Sequence, residues 1–265
     1  MSALAPVELH LDQAQGIATL TFNRPEVLNA IDVPMARAIR DAVVPLGGRE
    51  DVRCIVLAGA GRAFVAGGDV ARFADDFDSA ADVVDQLLDA LHPAIETLAK
   101  HDAPVLASVR GAVAGAGLSL LAGCDLAIAA DSSRFLMAYD RVGAAPDCGG
   151  TWYLPRKVGV RAAAELMLLG EAWDAARALQ AGLVNTVVPE RELAERTQAL
   201  AAQLANRPTR ALGAYKRLVA QAAHTPLHEH LQAERAAFKR ATASADFREG
   251  VSAFLQRREP AFRGR

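Results

Sequence analysis

The sequence predicts an α/β fold: a layered core of strands alternating with helices, followed by a helical C-terminal region. Two patterns carry this. As far as roughly residue 130, short apolar strands alternate with helical stretches and end in glycine turns. After Gly149 nearly every segment has helical period. A chain of 265 residues, 52% of them hydrophobic, can bury a sizeable core in one or two domains.

The elements follow in order. "VELHLDQAQGIATLTFN" alternates apolar and polar residues on either side of Gly16 and predicts a β-hairpin. Asp32 precedes Pro34 and an apolar-periodic stretch to Leu46, which predicts a helix with an N-cap and an early proline. "RCIVLAGAG" is a short buried strand that ends in glycines. "DVVDQLLDALHPAIETLAK" is helical in period, and Pro93 is expected to start a new helix or to kink this one. "PVLASVRG" is a buried strand, "AGAGLSLLAG" a helix start and "CDLAIAAD" another strand. Beyond Gly149, "AAAELMLLG", "DAARALQAG", "ERELAERTQALAAQLA", "TRALGAYKRLVAQAA", "LHEHLQAERAAFKRA" and "ADFREGVSAFLQRR" are helical, and only "LVNTVV" reads as a strand.

Composition narrows the function classes. The net charge is −2, with 29 basic against 31 acidic residues and no run of one sign, which argues against nucleic acid or an anionic membrane as the main partner. Cys54, Cys124 and Cys148 are odd in number and lack metal-ligand spacing, so reduced thiols in a cytoplasmic protein are expected and no metal site is. The start "MSALAPVELHLDQ" has no basic head followed by an apolar block, so no signal peptide is expected. The run "GAGLSLLAGCDLAIAA" is interrupted by Asp125 and reads as buried core rather than a membrane span.

Two glycine stretches, "GRAFVAGGD" and "GAVAGAGLS", each follow a strand. They are either tight turns in a packed fold or loops whose free backbone N–H groups face a ligand. Neither is a phosphate loop, because no G-K-[ST] follows, and neither has dinucleotide spacing. In "APDCGGTW", Asp147 is an isolated acid in an apolar run. On the residues alone it is either a proton acceptor or the N-cap of a helix beginning at Gly149. Cys148 has no histidine near it in sequence and reads as a small apolar filler.

"LTFNRPEVLNAID", "GAGRAFVAGGDV", "PVLASVRGAVAGAGLSLLAGCDLAIAAD", "LMLLG…DAARALQAGLVNTVVP" and "ADFREGVSAFLQRREPAF" together resemble the crotonase, or enoyl-CoA hydratase/isomerase, superfamily over nearly the whole chain. The resemblance implies a spiral of ββα units over residues 1–200 and a helical C-terminal region over 201–265. It also implies trimers, often paired into hexamers, and an acyl-CoA thioester as substrate. Coenzyme A is then part of the substrate, and no separate cofactor is expected.

By this resemblance the backbone N–H groups of Gly68 and Ala116 form an oxyanion hole. Two fixed donors stabilise the enolate oxygen that forms when a proton leaves beside a thioester. The two glutamates that position water in the family's hydratases fall here on Ser119 and Tyr139, neither of them a carboxylate. Asp147 falls where some isomerases of the superfamily place an aspartate. "PDCGGTW" and "SADFREGVSAFL" are most similar to the ring 1,2-epoxyphenylacetyl-CoA isomerases and related Δ3,Δ2-enoyl-CoA isomerases. An isomerase needs one base, and burial raises a carboxylate's affinity for the proton it must take.

His92 matches a histidine of the family's aromatic acyl-CoA dehalogenases, which use an aspartate nucleophile oriented by a tryptophan at the Tyr139 position. His92 is either that group or a residue that ends a helix. For coenzyme A, the resemblance implies contacts from Arg62 to phosphate, from the Ala66 carbonyl to the adenine amino group, and from Phe254 and Arg257 closing over the ligand. Against this, an arginine there is a solvated charge and Phe254 a core residue. An unusual hydratase and a non-catalytic acyl-CoA binder are the further readings.

Overall fold

The computed structural model describes residues 5–74 and 76–265; the first four residues of the stretch read as lacking a signal peptide lie outside it. The chain opens with the expected hairpin, β1 (Val7–Asp12) and β2 (Ile17–Phe22), paired antiparallel. α1 (Val33–Val43) follows, capped by Asp32, whose carboxylate accepts from the Met35 N–H at 2.9 Å. Pro45 then tightens the chain into a 3-10 turn, so the helix stops short of Leu46.

β3 (Cys54–Gly59), the short α2 (Ala71–Ala74), α3 (Ala80–Lys100) and β4 (Val105–Val109) come next. β5 (Ala112–Ala114), α4 (Ala116–Gly123), β6 (Leu126–Ala130) and β7 (Arg134–Leu136) follow. The remainder is α5 (Gly150–Val158), α6 (Val160–Leu168), β8 (Trp173–Asp174), α7 (Ala175–Ala181), β9 (Thr186–Val188), α8 (Leu193–Ala205), α9 (Thr209–Ala222), α10 (Leu227–Ala241) and α11 (Ala245–Gln256). Among the described residues no helix is long and apolar enough to cross a membrane.

The strands form two sheets. The larger runs β1-β2-β3-β4-β6-β9, parallel from β2 onward, and the smaller runs β5-β7-β8. From β4 onward the chain leaves the large sheet, adds β5 to the small one and returns through α4 to β6, then adds β7 and, after α5 and α6, β8 before α7 leads back to β9. This is the ββα spiral that the sequence resemblance implies. Alternation along the parallel strands sorts two cores. Ile55, Leu57, Val105, Ala107, Ala127 and Ala129 point into the main core, while Cys54, Val56, Leu106, Ile128 and Val188 pack against α8. Each fully buried large apolar side chain contributes about 1.5–3 kcal/mol. α8 crosses the boundary drawn at residue 200 and is tied to the sheet by the Ser108–Thr197 hydroxyl pair at 2.7 Å.

Three expectations change. Pro93 starts no new helix: α3 runs unbroken from Ala80 to Lys100. The proline ring lies on the exposed face, whereas Ala90, Leu91 and Ala94 bury the other, so packing holds the helix together across the missing N–H. β5, β7 and β8 have two or three residues each, too short to leave a periodic signal. "LVNTVV" pairs only over Thr186–Val188.

α9 is fastened to the core by Lys216. Its ammonium pairs with Asp125 at 2.8 Å and donates to the carbonyls of Leu98 and Ala103. α9, α10 and α11 enclose a groove of about 690 Å³ lined by Phe247, Val251, Phe254 and Leu255 among others.

Candidate active site

The two glycine stretches meet. Val65 and Val113 form a parallel bridge, and an added Cβ on Gly115 would lie 3.4 Å from the Gly67 Cα. Gly115 has φ +50°, a conformation that other residues rarely adopt, and it caps the N-terminus of α4. Gly117 lets that helix approach the neighbouring loop, because a Cβ there would stand 2.2 Å from the Val65 carbonyl oxygen. The spacing "AGAG" is therefore a packing requirement as much as a binding one.

Gly68 and Ala116 come out of this contact with free donors. Among the described residues neither N–H donates to another backbone group: Gly68 sits between bonded neighbours, and Ala116 opens α4, where the first N–H groups have no partner within the helix. The space where a Gly68 side chain would stand is empty. The positive end of the α4 dipole points out at Ala116.

Tyr139 stands beside Gly115 at the start of α4, and Asp147 stands beside Tyr139. The Tyr139 ring lies 3.9 Å from the same added Cβ on Gly115. Its hydroxyl donates to Asp147 Oδ1. Burial first, then the Asp147 charge, pushes the phenol's pKa upward, so the hydroxyl keeps its proton and stays a donor. No N–H or O–H group of a described residue donates to Asp147 Oδ2.

The N-cap reading of Asp147 is overturned. Gly149, with φ +77°, caps α5 without a side-chain cap hydrogen bond. Asp147 contributes only its backbone carbonyl, which accepts from the Gly150 N–H at 2.9 Å. The carboxylate is turned the other way, toward the phenol.

Ser119 is fully buried, and its hydroxyl has no hydrogen-bond partner; it lies near the Tyr139 phenol but outside bonding geometry. A Cβ on Gly150 would come within 2.4 Å of it, so the start of α5 closes tightly over this hydroxyl. Cys148 is buried, and burial followed by the Asp147 charge raises its thiol pKa, which makes it a poor nucleophile and a filler.

The remaining residues lie apart. His92 is exposed in the middle of α3; it ends no helix and hydrogen-bonds to none of Asp147, Tyr139 or Ser119. Arg62 is exposed and forms no ion pair with a described residue, and the Ala66 carbonyl accepts no hydrogen bond from one. Phe254 is 82% exposed rather than core, and Arg257 ends α11 in a left-handed conformation. The groove that Phe254 lines includes neither Arg62 nor Ala66.

Sequence reasoning passed over the cluster around Arg24. Asn29, fully buried, accepts from the Arg24 N–H and donates to the carbonyls of Ala60, Ala63 and Phe64. Arg24 pairs with both Asp32 and Asp69 at 3.2 Å. The signal was in view, since "NRPEVLNAID" and "GGD" both belong to the quoted motifs.

A profile described as Enoyl-CoA hydratase/isomerase matches residues 12–265. The 1,2-epoxyphenylacetyl-CoA isomerase of Escherichia coli is 41% identical to this chain, with 95% of this chain and 96% of the relative covered. A Rhodobacter capsulatus protein named "Probable enoyl-CoA hydratase" is 38% identical with the same coverage. An enoyl-CoA hydratase structure from Polaromonas sp. JS666 superposes with a TM-score of 0.90 at 33% identity, over 97% of this chain and 99% of that one.

Proposed function

The chain belongs to the enoyl-CoA hydratase/isomerase family, and from that premise we propose that it is an acyl-CoA isomerase working by proton transfer through a thioester enolate. The thioester oxygen accepts from the N–H groups of Gly68 and Ala116. Asp147 takes a proton from one carbon of the acyl group and returns it at another, so that a double bond migrates or a ring epoxide opens and rearranges. The observation that carries this reading is the Tyr139–Asp147 hydrogen bond: one carboxylate, held by a neutral phenol, with neutral Ser119 behind it.

Each part has a task. The two backbone donors are worth roughly 10²–10³ in rate apiece where such holes have been dissected. The phenol occupies Oδ1 and leaves Oδ2 as the proton acceptor. Hydration needs one group to orient and deprotonate water and another to protonate carbon. With Ser119 and Tyr139 at the positions of the family's glutamates, neither of those positions supplies a carboxylate to share that work with Asp147. The name of the 41%-identical relative agrees with an isomerase and that of the 38%-identical one with a hydratase, so the chemistry of the site weighs the choice. The exposure of His92 gives no support to a dehalogenase-like hydrolysis.

Coenzyme A binding by Arg62, Ala66, Phe254 and Arg257 and assembly as trimers or paired trimers belong to the same reading. The deciding experiment is a panel of CoA thioesters assayed in parallel for isomerisation and hydration. Isomerisation of a 3-enoyl-CoA or a ring-epoxide thioester is expected to outrun hydration of crotonyl-CoA. Efficient crotonyl-CoA hydration would overturn the assignment.

A further inference from the structure

We propose that Arg24 is a positioning residue for the oxyanion hole: it fixes the Gly68 N–H by gripping the chain on both sides of Ile31, to which the backbone flanking Gly68 is bonded. The inference rests on the reading of Gly68 as an oxyanion donor.

The anchor is Ile31. Its N–H donates to the Gly67 carbonyl at 2.8 Å, and its carbonyl accepts from the Asp69 N–H at 2.9 Å. Gly68 is thus suspended between two bonds to one residue, with its own N–H left over. What holds Ile31 is Arg24. One arm of the guanidinium donates to the Ala30 carbonyl at 2.6 Å, just before Ile31. The other pairs with Asp32, just after it, at 3.2 Å. The same nitrogen lies 3.2 Å from the Asp69 carboxylate, on the far side of Gly68.

A planar guanidinium can serve these three acceptors at once, and a lysine ammonium on a single flexible stem cannot hold the same fork. The cluster is sheltered: the side chains of Arg24, Asp32 and Asp69 are 16%, 10% and 15% exposed. Asp32 carries the restraint further, since it also caps α1 through the Met35 N–H. Gly68 therefore takes its place from the start of α1 and from the turn after the hairpin as well as from its own loop. An oxyanion donor works because it is fixed before the charge develops. Arg24 touches no reacting atom and acts through that fixation.

The test compares wild type with Arg24→Gln and Asp69→Asn, with Arg40→Gln as the surface control. Each protein is measured for melting temperature, for kcat and KM, and for the carbonyl stretch of a bound, carbonyl-labelled saturated acyl-CoA. In wild type the stretch is expected to fall below that of the free thioester. In Arg24→Gln and Asp69→Asn it should return toward the free value, with kcat lower by roughly 10–100-fold, part of the loss seen when a donor is removed outright. KM should change much less than kcat, because the donors hold the developing oxyanion more strongly than the ground-state carbonyl. Arg40→Gln should match wild type.

If Arg24→Gln does not fold, Asp69→Asn decides, since Arg24 there keeps Asp32 and the Ala30 carbonyl. Folded variants with a wild-type carbonyl shift overturn the proposal, whether or not their melting temperature falls. A wild-type enzyme that leaves the carbonyl stretch unmoved overturns instead the oxyanion reading on which it rests.

Discussion

The Tyr139 hydroxyl donates to Asp147 Oδ1, across a turn of the chain that separates them by eight residues. A hydrogen bond to a charged partner contributes about 1.5–3 kcal/mol. Tyr139→Phe keeps the ring and removes the donor. It is expected to lower kcat by roughly 10–100-fold with little change in KM, because the carboxylate loses its orientation. Steady-state kinetics on the best isomerisation substrate check this. A Tyr139→Phe enzyme with wild-type kcat would mean that the phenol has no part in positioning the base.

Asp147→Asn is expected to abolish isomerisation while leaving acyl-CoA binding and folding nearly intact. The amide cannot take the proton, and general acid–base catalysis contributes about 10²–10⁴-fold. Because Gly149 and not Asp147 caps α5, no helix end is lost with the charge, and the melting temperature should stay close to wild type. Turnover and thermal melting are measured on one preparation. Normal turnover in this folded variant would remove Asp147 from the mechanism.

Stability should fall on mild acidification through His101. Its ring is buried, Nε2 donates to the Leu46 carbonyl at 3.0 Å and Nδ1 accepts from the Ala103 N–H at 2.9 Å, which requires the neutral form. Burial foremost lowers its pKa, with Lys216 adding to the drop and the Leu46 carbonyl and Asp102 opposing it. The unfolded imidazole takes its proton near pH 6.5, about where a free histidine does. The folded one takes it only at lower pH, so between these points the unfolded state binds more protons. The stabilisation is complete above the unfolded pKa and is lost as pH drops toward the folded one. Urea unfolding of wild type and His101→Gln from neutral pH to about pH 5 should show a shallower pH slope in the variant. Equal slopes would exclude this group.

The C-terminal helices should carry an interface between copies of the chain. Leu227, Phe238, Phe254 and Leu255 are 73%, 67%, 82% and 75% exposed on α10 and α11. Apolar surface gathered in this way marks an interaction site. Light scattering at micromolar concentration is expected to give three or six chains. Phe238→Glu, which sets a charge on that face, should shift the distribution toward monomer. A monomeric wild type would contradict the expected assembly.

The sequence by itself determined the local elements and the stock of chemical groups. The hairpin about Gly16, the Asp32 cap, the buried parallel strands and the glycine turns were legible because each depends on residues a few positions apart. The family motifs then made the ββα spiral legible as well. The same motifs imply that Ser119 and Tyr139 fall at the hydratases' glutamate positions, and Asp147 is the one acid in "APDCGGTW".

Only the tertiary structure decided which partner each group takes. Asp147 lies just before a helix start, yet its carboxylate takes the Tyr139 phenol, eight residues away in sequence. Pro93 stays inside α3 because packing on one face outweighs a missing hydrogen bond on the other. Arg24 reaches Asp69 across 45 residues of sequence, a contact that no periodicity encodes. Local pattern fixes backbone conformation through short-range sterics and burial. A hydrogen bond between distant side chains forms only where closure of the whole chain brings donor and acceptor within about 3 Å.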